Sequence, residues 1–265
     1  MSPVKLPALV AMLLAGQLLA EDARVTALIA QGDAGDVAHN SKAALAALAE
    51  AEAIEPQNFG VLLRMSKQYT DLVGQTKDKA AAKLTAEKAL DYAKRAAARD
   101  EQSAKAHLNL AICYGKLTDF VGNKTKMEFA KLIREETQRS LDLDPTDDYA
   151  WHVMGRWHAG VANLNGVLKT LASWVYGGLP PASNEEAARC LKRAAELAPQ
   201  RLIHFAELAK VYTLMEKRDL AAQAWQNVVG IRAVDAQDEQ YQKEAKLALE
   251  QAKPSGGRGR GMARR

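Results

Sequence analysis

From Ile54 onward the apolar and polar positions fall into four segments that can be superposed: "IEPQNFGVLLRMSKQY", "RDEQSAKAHLNLAICY", "LDPTDDYAWHVMGRWH" and "LAPQRLIHFAELAKVY". Each carries a small residue at one shared position: Ser66, Ala111, Gly155 or Ala209. Four places earlier stands a bulky or ring side chain (Leu62, His107, Trp151, Phe205). One place earlier come Met65, Leu110, Met154 and Leu208, and three later Tyr69, Tyr114, His158 and Tyr212. Offsets of −4, −1, 0 and +3 lie on one face of a helix, so each segment predicts an amphipathic helix packed along a small-residue seam. Before each segment runs a second pattern, Ala44, Leu48, Ala51 and Pro56, repeated as Ala187, Leu191, Ala194 and Pro199. Weaker copies stand at Ala89, Ala93 and Ala96 and at Ile133, Thr137, Ser140 and Pro145. Proline closes this second helix because it cannot extend the helical hydrogen bonding.

The two patterns together are those of the tetratricopeptide repeat, in which small residues let paired helices approach and rings such as Trp151 and Trp157 fill the gaps beside them. The small residues are 45, 44 and 54 positions apart, longer than the roughly 34-residue standard unit. The extra length falls between the two helices of each unit, which predicts lengthened second helices or added ones. The longest extension holds Val161, Leu164, Val167, Leu168, Leu171, Trp174 and Val175 at helical spacing. It predicts an amphipathic helix, either packed on the array or lidding a groove. Ala221, Trp225 and Val228 close the last unit, and "DAQDEQYQKEAKLALEQAK" follows as a polar capping helix. The expected fold is all-α: a tetratricopeptide-repeat-like solenoid of four to five lengthened units.

Composition agrees with this and marks off the ends. The 265 residues are 48% apolar and only 6% aromatic, a mix that favours helix over sheet. The net charge of +4 belongs to residues 253–265, which hold five cations and no acid; the rest sums to −1. That basic Gly-rich tail is expected to be disordered, and a nucleic-acid role for it is disfavoured. At the other end Lys5 precedes the apolar run Leu6–Ala20, followed by Glu21 and Asp22. This is the layout of an export leader cleaved after Ala20, with a retained anchor or a first repeat helix as the alternatives. The expected domains are residues 1–20 as leader, 21–252 as the repeat array and 253–265 as the tail.

Several stretches resemble the regulator of microtubule dynamics proteins, an extended tetratricopeptide-repeat family: "MGRW" at Met154–Trp157, the following "VANLN", "GLPPAS" ahead of "NEEAARCLKRAAELAP", and "DEQYQKEA". The resemblance runs from about residue 40 to 252. It implies binding and not catalysis, with microtubules, spindle, mitochondria or phospholipid as the settings known for eukaryotic members. Similar bacterial proteins carry an export leader, and the N-terminus here is closer to those. Export to periplasm or medium is therefore expected, and cytoplasm with spindle or mitochondrial association is the alternative.

Candidate chemistry is sparse. Cys113 and Cys190 lack metal spacing, His152 and His158 diverge around a helix, and no nucleophile motif or phosphate loop occurs, so neither an enzyme nor a cofactor is expected. Binding residues follow from the repeat register. On the first helices, positions six before, two before and one after the small residue give Lys105; Arg64, Asn109 and Glu207; and Lys67, Arg156 and Lys210. Five of these seven are cationic, which predicts a concave groove suited to an acidic protein segment, tubulin in a eukaryotic source, or to anionic lipid. The alternative is cations spread over all solvated faces.

Overall fold

The computed structural model describes residues 6–166, 168–170 and 180–252, with side chains from Asp22 onward. Every regular element among them is helical. The order is α1 (Leu6–Val37), α2 (Ser41–Ile54), α3 (Phe59–Gln75), α4 (Lys79–Arg99), α5 (Ala104–Leu117), a 3-10 turn (Thr118–Phe120), α6 (Asn123–Leu143), α7 (Asp148–Ala162), α8 (Asn184–Leu197), α9 (Leu202–Leu214), α10 (Arg218–Gly230) and α11 (Ala236–Ala252). The chain forms two compact units, Met1–Leu143 and Asp144–Arg265.

In the first unit α1 pairs with α2, α3 with α4 and α5 with α6, and the first helices α1, α3 and α5 also meet in succession. In the second α7 pairs with α8 and α9 with α10, while α11 packs on both α10 and α9 as the capping helix. The seam positions are buried as the pattern requires: Ser66, Ala111 and Ala209 are fully enclosed, and Met65, Leu110, Met154 and Leu208 beside them are buried. The long second helices account for the stretched period in the first unit, since α4 and α6 each run 21 residues against 14 for α2 and α8.

Short polar side chains set the helix starts. Asn40, Asn58, Asp78, Ser103, Asp147 and Ser183 accept hydrogen bonds from the first free amides of α2, α3, α4, α5, α7 and α8. Every passage from a second helix to the next first helix is a four-residue turn: 55–58, 100–103, 144–147 and 198–201. Passages in the other direction vary, from three residues at 38–40, 76–78 and 215–217 to the long excursion at 163–183. Asn163 ends α7 and its Nδ2 donates to Asn184 Oδ1 across 2.7 Å, tying the two ends of that excursion together. Asn165 starts a new turn by accepting from the Leu168 amide. The Leu171, Trp174 and Val175 part of the expected amphipathic helix, like the Val167 side chain, lies outside the described residues.

One repeat element escaped the sequence reading. A Cβ built on Gly32 in α1 would lie 2.8 Å from Leu48 Cγ, and one built on Gly155 in α7 would lie 2.6 Å from Leu191 Cγ. Leu48 and Leu191 are the equivalent residues of two second helices, so Gly32 holds the small-residue position of a first helix. Val25 and Leu28 of the same helix are buried in the core with Leu48, Ala51, Val61 and Met65. Of the segment expected as a leader, residues 1–20, the first five lie outside the described residues and 6–20 form the earlier part of α1, whose backbone continues unbroken into the packed part. The tail, 253–265, lies outside the described residues. No helix among the described residues is long and apolar enough to cross a membrane.

Candidate interaction surface

The predicted binding residues sit on the first helices, and the structure gives most of them partners. Arg64 grips Asp33 of α1 with two bonds, Nε to Oδ1 at 2.6 Å and a terminal nitrogen to Oδ2 at 2.9 Å. Lys67 lies 2.5 Å from Asp36 and 2.9 Å from Asp71. Burial works against its charge, but the two carboxylates outweigh this and raise its pKa; Asp36 is lowered by the hydrogen bonds from Lys67 and Gln68 in spite of partial burial. Lys105 is exposed. Asn109 is buried and donates from Nδ2 to the Leu63 carbonyl at 3.2 Å, bonding α5 to α3.

In the second unit Glu207 stands between two of the predicted cations, 3.7 Å from Arg156 and 3.1 Å from Lys210. Lys210 also meets Glu244 at 3.4 Å and covers the Tyr241 ring, both on α11. Its pKa is raised by Glu207 and Glu244 against the opposing effect of burial.

Two corrections follow for the expected cationic groove. Arg64, Lys67, Arg156 and Lys210 are not a bank of unpaired cations, because carboxylates one helix or one turn away balance them. Asn109 is a packing residue and not an open contact. Sequence reasoning missed Asp33 and Asp36 because it began the register at α3. With Gly32 as the small residue of α1, two ion pairs share one offset: the residue two before the seam on one first helix meets the residue one after the seam on the first helix before it, as Arg64 meets Asp33 and, with the charges exchanged, Glu207 meets Arg156, whereas Asn109 at the same offset bonds the Leu63 carbonyl.

Trp157 is buried, and Trp151 is half-buried with its indole N–H donating to the Pro145 carbonyl at 2.9 Å. Both thiols are free and buried, with Cys113 touching Ser66 and Thr70. Burial raises the Cys113 pKa and pushes Cys190 up to about 11, so neither is a thiolate near neutral pH. Among the described residues no three His, Cys, Asp or Glu side chains gather as a metal site. A shallow cleft of about 310 Å³ opens between α8, α9 and the start of α10, its lining mixing the apolar Ala188, Met215 and Leu220 with Glu185, Arg189 and two lysines.

Paired helices with small-residue seams, four-residue turns and polar first-helix faces define a scaffold of the tetratricopeptide-repeat class. A thermophilic protein of that class from Thermus thermophilus superposes on 84% of this chain and 99% of its own, with a TM-score of 0.65 at 16% identity. PilF of Pseudomonas aeruginosa covers 88% of this chain and 90% of its own, with a TM-score of 0.56 at 13% identity. Within the class, residues 28–253 match the family model of regulator of microtubule dynamics protein 1-3, and the chain belongs to that family. Mouse regulator of microtubule dynamics protein 1 is 30% identical over 197 residues, which are 74% of this chain and 65% of the relative. Human regulator of microtubule dynamics protein 2 is 25% identical over 182 residues, 68% of this chain and 44% of the relative. The chain thus spans about two thirds or less of these relatives' length.

Proposed function

We propose that the protein is a non-enzymatic scaffold that docks an acidic segment of a partner protein on the first-helix faces of its two units. The observation that supports this is the exposed, reciprocal ion pairing of Arg64, Lys67 and Arg156. Exposed pairs of this kind contribute only about 0–1 kcal/mol each. A partner's carboxylate can therefore replace Asp33, Asp36 or Glu207 at little cost, and the cation is already positioned to receive it. The relatives' names make microtubules the first partner to test, with tubulin supplying the acidic segment. In an exporting source, where the Leu6–Ala20 run acts as a leader, the partner is an envelope protein, and N-terminal sequencing of the mature chain separates the two settings.

Cosedimentation with microtubules at rising salt tests the reading. Binding is expected to fall between about 0.1 M and 1 M salt, as the screening length contracts from roughly 10 Å to 3 Å. Lys67→Glu and Arg156→Glu are expected to weaken it more than Lys243→Glu and Lys246→Glu on the capping helix. Equal loss in all four would mean diffuse attraction and would sink the docking face. A lipid retained through gentle purification, seen by mass spectrometry and displaced by none of the protein partners, would instead favour a lipid-binding role.

A further inference from the structure

Inside the second unit, Asp148 and His152 of α7 and His204 of α9 form a chain that the repeat pattern does not require. His204 Nε2 lies 2.8 Å from Asp148 Oδ2, an oxygen that Arg201 also approaches at 3.1 Å. His204 Nδ1 lies 3.0 Å from His152 Nδ1, and Tyr149 stacks on the His152 ring at 5.1 Å. His204 is wholly enclosed and His152 is 1% exposed. Among the described residues nothing partners His152 Nε2, which is buried.

The proton positions follow from these contacts. A carboxylate can only accept, so His204 Nε2 carries a hydrogen. In a neutral ring Nδ1 of His204 is then a lone pair, and the hydrogen between the rings belongs to His152 Nδ1. His152 Nε2 is left as a bare lone pair in the core, an arrangement that costs stability while it lasts. It is also the one open place in the chain for a further proton.

We propose that the Asp148–His204–His152 chain is a proton-sensitive latch that joins α7 to α9 while both rings are neutral and lets them part on acidification. A proton arriving at His152 Nε2 makes a buried cation. Around it stand Arg156 on α7, Arg201 at the end of the turn ahead of α9 and Lys210 on α9, with Glu207 already shared between Arg156 and Lys210 and with Glu244 and Tyr241 of α11 beside Lys210. The buried face of α8, made of Ala187, Ala188, Cys190, Leu191, Ala194 and Ala195, and that of α10, made of Ala221, Ala224, Trp225 and Val228, bring no charge. The one carboxylate in the chain, Asp148, is separated from His152 by the whole His204 ring.

Burial, then His204 and the three cations, hold His152 well below the usual imidazole range, and burial lowers His204 although Asp148 pulls the other way. An unfolded histidine titrates near 6.5. Below that pH the open state takes up protons that the closed state excludes, so the latch loses stability as pH falls. Each ring shifts the opening equilibrium by about tenfold per pH unit. The carboxylates with lowered values, Asp36 and Glu186, act at more acid pH than the opening of the latch.

Two measurements on the full chain test the latch. Nitrogen-detected NMR of labelled histidine at pH 7.5 is expected to find His204 protonated on Nε2 and His152 on Nδ1. Hydrogen exchange, corrected for its intrinsic pH dependence, is expected to show α7 and α9 amides losing about 10-fold to 100-fold protection between pH 6.5 and 5.5 while α3 and α4 amides hold theirs. In His152→Phe/His204→Leu, which keeps a ring against Tyr149 and removes both titrating groups, that loss is expected to vanish. The proposal is overturned if His152 carries its hydrogen on Nε2, if the rings take up protons near pH 6.5 with no loss of α7 and α9 protection, or if the double variant keeps the acid-induced loss. Should the double variant fail to fold, the tautomer and exchange data on the native chain decide.

Discussion

At Gly155 the absence of a side chain is a packing requirement. A Cβ there would lie 2.6 Å from Leu191 Cγ and 3.1 Å from the Ala187 carbonyl, and neither neighbour can swing aside as a flexible chain end would. Alanine ordinarily stabilises a helix relative to glycine by about 0.4–1 kcal/mol, yet overpacking a filled seam costs about 1–3 kcal/mol. Gly155→Ala is therefore expected to lower the melting temperature. Gly74→Ala, at a position of α3 with no atom in reach of the added carbon, is expected to raise it slightly. Thermal melts of the two variants beside the native chain check both signs. The seam itself was legible in the sequence because small residues recur at a fixed helical offset. Gly32 was not, because the residue before it is Gln31 where the other units place an apolar side chain, and the pattern match began one helix later.

For whole elements, the lengthening of α4 and α6 was readable as excess period, but not which of two forms it takes. Asp78 helps to decide it. It accepts from the Ala81 amide at 2.7 Å, starting α4 only three residues after α3 ends, so the extra length goes into one long helix. Loss of such a cap typically costs about 1 kcal/mol. Asp78→Ala is expected to destabilise by about that amount and to raise hydrogen exchange in the first turn of α4, whereas Asp78→Ser keeps an acceptor and should recover most of the loss. A clasp further along supports the same helix: Glu52 of α2 accepts from Tyr92 at 2.7 Å and from Arg95 at 2.8 Å, and the two Tyr rings 69 and 92 stack. None of these cross-helix partners has a sequence signature, because they depend on which faces meet in three dimensions.

On the scale of the whole molecule, the sequence conveyed the class through its periodic packing positions and the family through particular stretches such as Met154–Trp157 and those flanking the long excursion. It conveyed the binding surface only by halves. The register located Arg64, Lys67, Arg156 and Lys210 on the first helices, but much of the charge balance comes from neighbouring helices, and Asp33, Asp36 and Glu244 became partners only when those helices were set side by side. The histidine chain was invisible for a similar reason. His152 and His204 stand 52 positions apart at different places in the repeat, and nothing along the chain links them.

The contrast between the two kinds of passage makes this chain a grafting scaffold with a direction. Lengthening a surface loop costs only about 0.6 kcal/mol per doubling, so a six-residue Gly-Ser insert between Thr76 and Lys77, just ahead of the Asp78 cap, is expected to leave the melting temperature within a few degrees of native. The same insert after Pro56 would part three contacts at once: Asn58 from Glu55 through both its amide and its side chain, and Arg95 from the Pro56 carbonyl. It is expected to lower the melting temperature by clearly more. Circular dichroism melts of the two insertions would compare them directly, and an equal effect would show that the four-residue turns carry no special constraint. Foreign epitopes, tags or longer excursions like 163–183 therefore belong after first helices, where the fold already accommodates variety, and never after second ones.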